Sequence, residues 1–185
     1  MNVERHKLRL GVWSIPGQPI TAARANSSTP KAKPWRNVGR REAFLQRRCV
    51  IPADGFYEWR GPKTHREPMW IHPADGVIVL FVGLYEPWQA KPGEWQRTFT
   101  IITTKANGLI ASIHDRMPVI LDERAAEDWM NPNETEPKNL TSLLTPASEE
   151  QLVITPASPL VNSVKNEGPE LLDVPVATGQ QLRLI

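Results

Sequence analysis

The chain has 185 residues, 40% of them apolar and 23% charged, with a net charge of +2. That is long enough for one domain with a substantial core, and the balance is that of a globular protein, not a disordered or fibrous one. No apolar run approaches the ~20 residues needed to cross a bilayer, residues 1–11 lack the apolar centre of a signal peptide, and the lone Cys49 excludes an internal disulfide, so a reducing cytoplasm is the expected compartment.

Eighteen prolines, about twice the usual share, disfavour long helices and favour strands, turns and short helices. In chain order, residues 7–13 (KLRLGVW) alternate enough for a short strand, and residues 16–37, rich in Pro, Ser, Ala and Gly, read as a long surface loop. Residues 40–47 predict two helical turns with Phe44 and Leu45 inward. Strands are predicted over 49–52 and 56–60 around an Asp54-Gly55 turn, then over 69–72, 77–84 and 98–104, the last two rich in β-branched residues. Asp122 is placed to cap a helix that runs to Met130 and stops at Asn131-Pro132. Pro137 suits the first turn of a second helix over 137–144, a late strand follows over 152–155, and residues 174–185 form a peripheral tail. Strands and short helices that do not alternate regularly predict an α+β fold, mostly antiparallel, with a partly open, barrel-like sheet in a single domain over 1–185.

The modest net charge hides an asymmetry. Residues 31–66 hold ten basic side chains against three acidic ones, a net +7, and the remainder of the chain carries −5. Arginines and lysines clustered beside Trp35 and Trp59 suit a surface that tracks phosphates and stacks bases, with Trp35, Arg36 and Arg40 as candidate contacts. A solvated basic face that aids solubility explains the same composition.

Two places carry candidate chemistry. Glu58 stands among Phe56, Tyr57 and Trp59, where lost hydration would raise its pKa toward the range useful for proton transfer; pairing with a nearby arginine would instead keep it ionised. Strand alternation puts Phe56, Glu58 and Arg60 on one face, and Tyr57 and Trp59 on the other. His114 sits in SIHDRMPVI beside Asp115 and Arg116. An imidazole there suits proton transfer and the guanidinium could hold a phosphate, although a structural Arg–Asp network fits the residue types equally well. His6 and His65 read as solvated, and His72 as a surface or half-buried strand histidine. No metal-ligand spacing, glycine-rich phosphate loop or G-x-S-x-G is present, so neither metal nor cofactor is expected.

Three separated blocks, RREAFLQRRCVIPADGFYEWR, TTKANGLIASIHDRMPVIL and LVNSVKNEGPEL, resemble in order and spacing the signature blocks of the SOS-response-associated peptidases, also called abasic-site processing proteins. The resemblance runs from Leu8 to Leu172. It implies a barrel-like α+β fold with a basic groove for single-stranded DNA, and a covalent thiazolidine crosslink made by an N-terminal cysteine to the aldehyde of an abasic deoxyribose. It further implies that Glu58 is an acid/base of that chemistry and that His114 acts on the sugar oxygen. Arg116 would lie near backbone phosphates, Arg24 would bind DNA, and Asn162, Lys165 and Asn166 would line the site. The implied partner is single-stranded DNA, preferably with an abasic site, bound by a cytoplasmic, nucleoid-associated monomer.

The resemblance also has departures. The family's N-A-R-A-E block falls on AARAN, residues 22–26, where Ala22 stands in place of the asparagine. The family opens with Met-Cys-Gly-Arg, whereas this chain opens Met1-Asn2-Val3 and is expected to be N-terminally truncated relative to it. Cys49 reads as a buried strand residue with no adjacent α-amine to close a thiazolidine, although flanking Arg48 could lower its pKa. The expected functions are therefore an abasic-site processing protein that cannot crosslink as given, or a non-catalytic single-stranded nucleic-acid-binding module. An unrelated Glu/His hydrolase is a more remote third.

Overall fold

The structure, a computed structural model, describes residues 38–173 apart from Lys63. The expected strand over 7–13, the loop over 16–37 with Arg24, Trp35 and Arg36, and the tail over 174–185 lie outside the described residues. So does the side chain of Arg40, although its backbone belongs to the first helix.

The described chain begins with helix α1, Val38–Gln46, which buries Ala43 and Phe44, while Leu45 is half-buried. Strand β1, Arg48–Ala53, follows at once. The chain then turns at Asp54-Gly55 into β2, Phe56–Arg60, and returns in β3, Glu67–Pro73. Gly55 is required here for two reasons. Its φ is +157°, and a Cβ at this position would run into the Ile71 carbonyl oxygen and the Trp70 ring. Strand β4, Val79–Lys91, continues well past Leu84, where the sequence predicted its end, and a tight turn leads to β5, Glu94–Ile101.

The apolar run predicted as one strand over 98–104 is broken in two. Ile102 leaves β5, donates its N–H to Val82 O at 2.8 Å and accepts from Val119 N at 2.9 Å. The chain then enters β6, Thr103–Lys105. Helix α2, Gly108–Ala111, strands β7, Arg116–Pro118, and β8, Ile120–Leu121, helix α3, Glu123–Met130, helix α4, Pro137–Ser142, and strand β9, Leu152–Pro156, complete the described order, with short 3-10 turns after Ser148, Ser158 and Gly168.

Among the described residues the strands form three antiparallel sheets and no closed barrel. The first has the order β1-β4-β5, with β8 also on β4; the second is β2-β3-β9; the third pairs β6 with β7. Alternation along β4 divides the core. Val79 and Phe81 face a cluster shared with Ile51, Phe56, Ile71, Ile110 and Met117, which fills the space between the first two sheets. Leu80, Val82 and Leu84 face the opposite way, against α1, α3 and α4 through Phe44, Trp129 and Leu140. A smaller cluster of Tyr57, Trp59, Trp70, Ala157, Val161 and Leu171 covers the outer face of the second sheet. No helix among the described residues is long and apolar enough to cross a membrane.

Helix α3 keeps its predicted limits because both ends are written locally. The Asp122 carboxylate accepts from Ala125 N at 2.8 Å, and Asn131 leaves the helical region before Pro132. Asp122→Ala is expected to cost about 1 kcal/mol, read as a melting temperature lower by about 2–4 °C for a chain of this size. An unchanged melting curve would show that the cap contributes nothing.

Candidate active site

Glu58 occupies the middle of β2, opposite Met69 on β3, and only 8% of its surface is exposed. The alternation expected from the sequence is present: Phe56 points into the core between the sheets, while Tyr57 and Trp59 pack in the outer cluster. Glu58 therefore shares the inner face with Phe56 and Met69. Arg60, two residues on, is not its partner; it reaches across the ladder to Glu67 at 2.8 Å. No arginine or lysine among the described residues lies within ion-pair distance of Glu58. Burial raises the Glu58 pKa above its ordinary value of 4.5, opposed chiefly by the nearby charge of His114, then by a hydrogen bond from the Trp59 backbone and by Arg66; Asp115 adds to the rise.

The His114 charge acts on this carboxyl from a distant part of the chain, and a local route places the ring. Asn107 caps α2, accepting from Ile110 N at 3.0 Å and donating from Nδ2 to Ala147 O at 3.0 Å. Ile110 and Met117 are fully buried in the core on either side of the turn, and His114 N donates to Ile110 O at 3.0 Å. The imidazole itself is about half exposed. Its Nδ1 lies 3.1 Å from Arg116 N, 3.1 Å from Arg116 O and 3.3 Å from Asp115 Oδ1. With Nδ1 accepting the Arg116 N–H, the ring carries its proton on Nε2.

The other candidates divide. Arg116 is half-buried, with Nε donating to Thr103 Oγ1 at 2.9 Å and Nη2 to Thr103 O, so its backbone orients His114 while its guanidinium is held against β6. Asn162 accepts from Trp59 Nε1 at 2.7 Å and thus sits beside β2. Asn166 donates to Leu160 O at 2.9 Å and closes a turn in which Lys165 is exposed. His72 is half-buried, 6.3 Å from the Trp70 ring and nearly parallel to it, with Nδ1 3.1 Å from Pro73 O. No cluster of His, Cys, Asp and Glu able to hold a metal occurs among the described residues.

Two sequence expectations are corrected. Arg48 does not lower the pKa of Cys49: its guanidinium turns away to five backbone carbonyls, and burial pushes the thiol up to about 12. The basic segment is also less available than its count implied. Arg47 is tied to Glu42 at 2.7 Å and to Glu86 at 2.9 Å, Arg48 is buried, and Arg60 is paired. Sequence reasoning missed Arg66 as a charge acting on Glu58 and Asn107 as the residue that shapes the His114 turn. The first was visible only as one of ten basic residues, whereas an N-cap signal at Asn107-Gly108 was there to be read.

A model of the SOS response associated peptidase (SRAP) family matches residues 16–164. The chain belongs to that family. This SRAP chain is 46% identical over 135 residues to the abasic site processing protein YoqW of Bacillus subtilis, covering 72% of the chain and 60% of that protein. It is 40% identical over 158 residues to the abasic site processing protein YoaM of the same organism, covering 85% and 67%. The abasic site processing protein HMCES of Gallus gallus is 36% identical over 153 residues, with 72% and 45% covered. A protein of Bacteroides thetaiotaomicron solved by X-ray crystallography superposes with a TM-score of 0.69 at 30% identity, covering 77% of this SRAP chain and 63% of its own. The chain thus spans 60% of the length of YoqW and less than half of HMCES.

Proposed function

We propose that the chain binds single-stranded DNA and presents Glu58 and His114 to an abasic deoxyribose, and that the 185-residue polypeptide forms no stable crosslink to that sugar. The observation that carries this reading is a buried carboxyl with a raised pKa and an imidazole close enough to act on its charge, drawn from separate stretches of the chain. The substrate class follows from the names of the relatives, all of them abasic site processing proteins. Opening the sugar ring removes a proton from the anomeric hydroxyl and returns one to the ring oxygen, so the aldehyde appears with no net change in protons. A carboxyl and an imidazole near one another can serve the two transfers.

Cys49 supports the binding-module side of the proposal. It is the chain's one cysteine, it lies half-buried in β1 with its thiol pushed up to about 12, and it has no α-amine of its own. Thiolate is the reactive form of cysteine, and it is scarce here at neutral pH.

The test incubates the protein with a single-stranded oligonucleotide carrying one abasic site. Binding is expected to weaken with rising salt, because each phosphate contact releases a counterion. A denaturing gel is expected to show no heat-stable adduct. Salt-independent binding, or none, would remove the reading, and an adduct lost in Cys49→Ser would overturn its second half.

A further inference from the structure

We propose that the ribbon formed by the outer halves of β4 and β5 is a second contact for single-stranded nucleic acid, with a base stacked on Trp95 and a phosphate held by Arg97. The inference rests on the single-stranded DNA reading above and extends its footprint. Beyond Tyr85, whose N–H still reaches Arg47 O at 2.9 Å, β4 pairs among the described residues with β5 alone, so residues 86–91 and 94–98 form a two-stranded ribbon. Register fixes its faces. Trp95 lies opposite Gln89, and Arg97 opposite Pro87, with Tyr85 and Phe99 next on the same side.

That side continues the inner face of the first sheet. Alternation along β4 carries it from Val79 and Phe81 in the core to Pro87 and Gln89, and Phe99 packs against the same core cluster. Phe56 belongs to this cluster and shares its face of β2 with Glu58. Trp95 and Arg97 therefore stand on an outward extension of the face that meets the candidate active site.

The chemistry of the face selects the ligand. Trp95 is 66% exposed, whereas an indole usually buries most of its large apolar surface. Arg97 is exposed and forms no ion pair among the described residues, while the neighbouring carboxylates are engaged: Glu86 with Arg47 at 2.9 Å and Glu94 with Lys91 at 3.8 Å. The face thus offers one stacking ring and one uncompensated cation, about 7 Å apart along the strand. A protein-docking patch would need several hundred Å² of contiguous apolar surface; here exposed Gln89 and Pro87 lie across from Trp95 and Arg97. One base and its phosphate match this arrangement.

Fluorescence anisotropy with labelled oligothymidylates of about 5 and about 20 nucleotides, at the lower end of and beyond the ~4–16-nucleotide site size of one small binding fold, tests it. Trp95→Ala is expected to weaken binding of the longer oligonucleotide about 5- to 100-fold while binding of the shorter one and the melting temperature are unchanged. Trp95→Phe is expected to restore most of the loss, and Arg97→Ala to lower the salt slope by about one. Wild-type binding of the longer oligonucleotide with unaltered affinity in Trp95→Ala would overturn the ribbon contact and leave the active-site reading intact. No binding of either oligonucleotide by the wild type would overturn both. A dimer in the wild type that dissociates in Trp95→Ala, with DNA affinity unchanged, would make the ribbon a protein contact and overturn the proposal.

Discussion

Glu58→Gln is expected to slow proton transfer at an abasic sugar by about 10²–10⁴-fold and, near neutral pH, to make the protein harder to melt. The two effects share one cause. A carboxyl held on the inner face of β2 loses hydration, and the nearby charges of His114 and Arg66 offset only part of that loss. The proton is therefore held more tightly in the folded protein than in the unfolded chain. Where the unfolded chain has released this proton and the folded one has not, raising the pH favours unfolding. The stability tied to the protonated carboxyl is complete below the ordinary value of 4.5 and is lost as pH climbs through the raised folded-state pKa.

Glutamine has the same shape and no charge to desolvate. The Glu58→Gln variant should match the wild type in acid and exceed it in melting temperature as the pH rises, the trade of stability for activity common at functional sites. The rate is read from capture of the sugar aldehyde by an alkoxyamine at a single abasic site in single-stranded DNA. Thermal melts across the acid-to-neutral range supply the second readout. An unchanged capture rate in Glu58→Gln would sink the acid/base role. A constant offset in melting temperature at every pH would mean that Glu58 is not held as a desolvated carboxyl. His114→Ala gives a further check. Removing the largest influence that lowers the Glu58 pKa should carry the stability loss to higher pH.

What could be read from the sequence was whatever depends on neighbours in the chain. The Asp122 cap, the stop at Asn131-Pro132 and Pro137 at a helix start each act within one turn, and all three are in place. The α+β class follows from the same local signals. The second half of β4 was not legible: the predicted strand stops at Leu84, and Glu86, Pro87 and Gln89 beyond it carry no strand signal. Proline is tolerated there because Tyr85 directs its N–H to Arg47 O at 2.9 Å, at the start of the β1 side. Two residues on, the missing N–H of Pro87 would point the same way, past the end of that pairing, and no ladder bond is lost. The break at Ile102 is non-local for a related reason: its two hydrogen bonds go to Val82 and Val119, one on either side. At the candidate site the residue types were legible in Glu58 and His114, but their proximity depends on how the second and third sheets meet.

Arg48 shows how far a basic side chain can stand from the role its charge suggests. Its guanidinium donates to Trp129 O at 2.6 Å, Asn131 O at 2.6 Å, Phe44 O at 3.1 Å, Glu134 O at 3.1 Å and Leu45 O. Carbonyls at the ends of α1 and α3 have no partner within their own helices, and one planar fork joins both ends to β1. Trp129 completes the joint, with its ring 5.8 Å from the Arg48 guanidinium carbon, its Nε1 donating to Cys49 O at 3.0 Å, and Phe44 packed edge-on at 5.6 Å. Arg48→Ala removes the guanidinium donor from all five carbonyls, leaving Asn131 O with the Glu134 N–H at 3.1 Å, and is expected to cost about 3–5 kcal/mol, lowering the melting temperature by about 10 °C. Arg48→Lys should recover little, because one ammonium with three donors cannot span five acceptors. DNA binding separates this structural role from a phosphate contact. Below its melting transition, Arg48→Ala should keep the wild-type salt slope for single-stranded DNA, whereas loss of a phosphate contact would lower the slope by about one. A lowered slope with an unchanged melting temperature would return Arg48 to the DNA-facing surface and refute the helix joint.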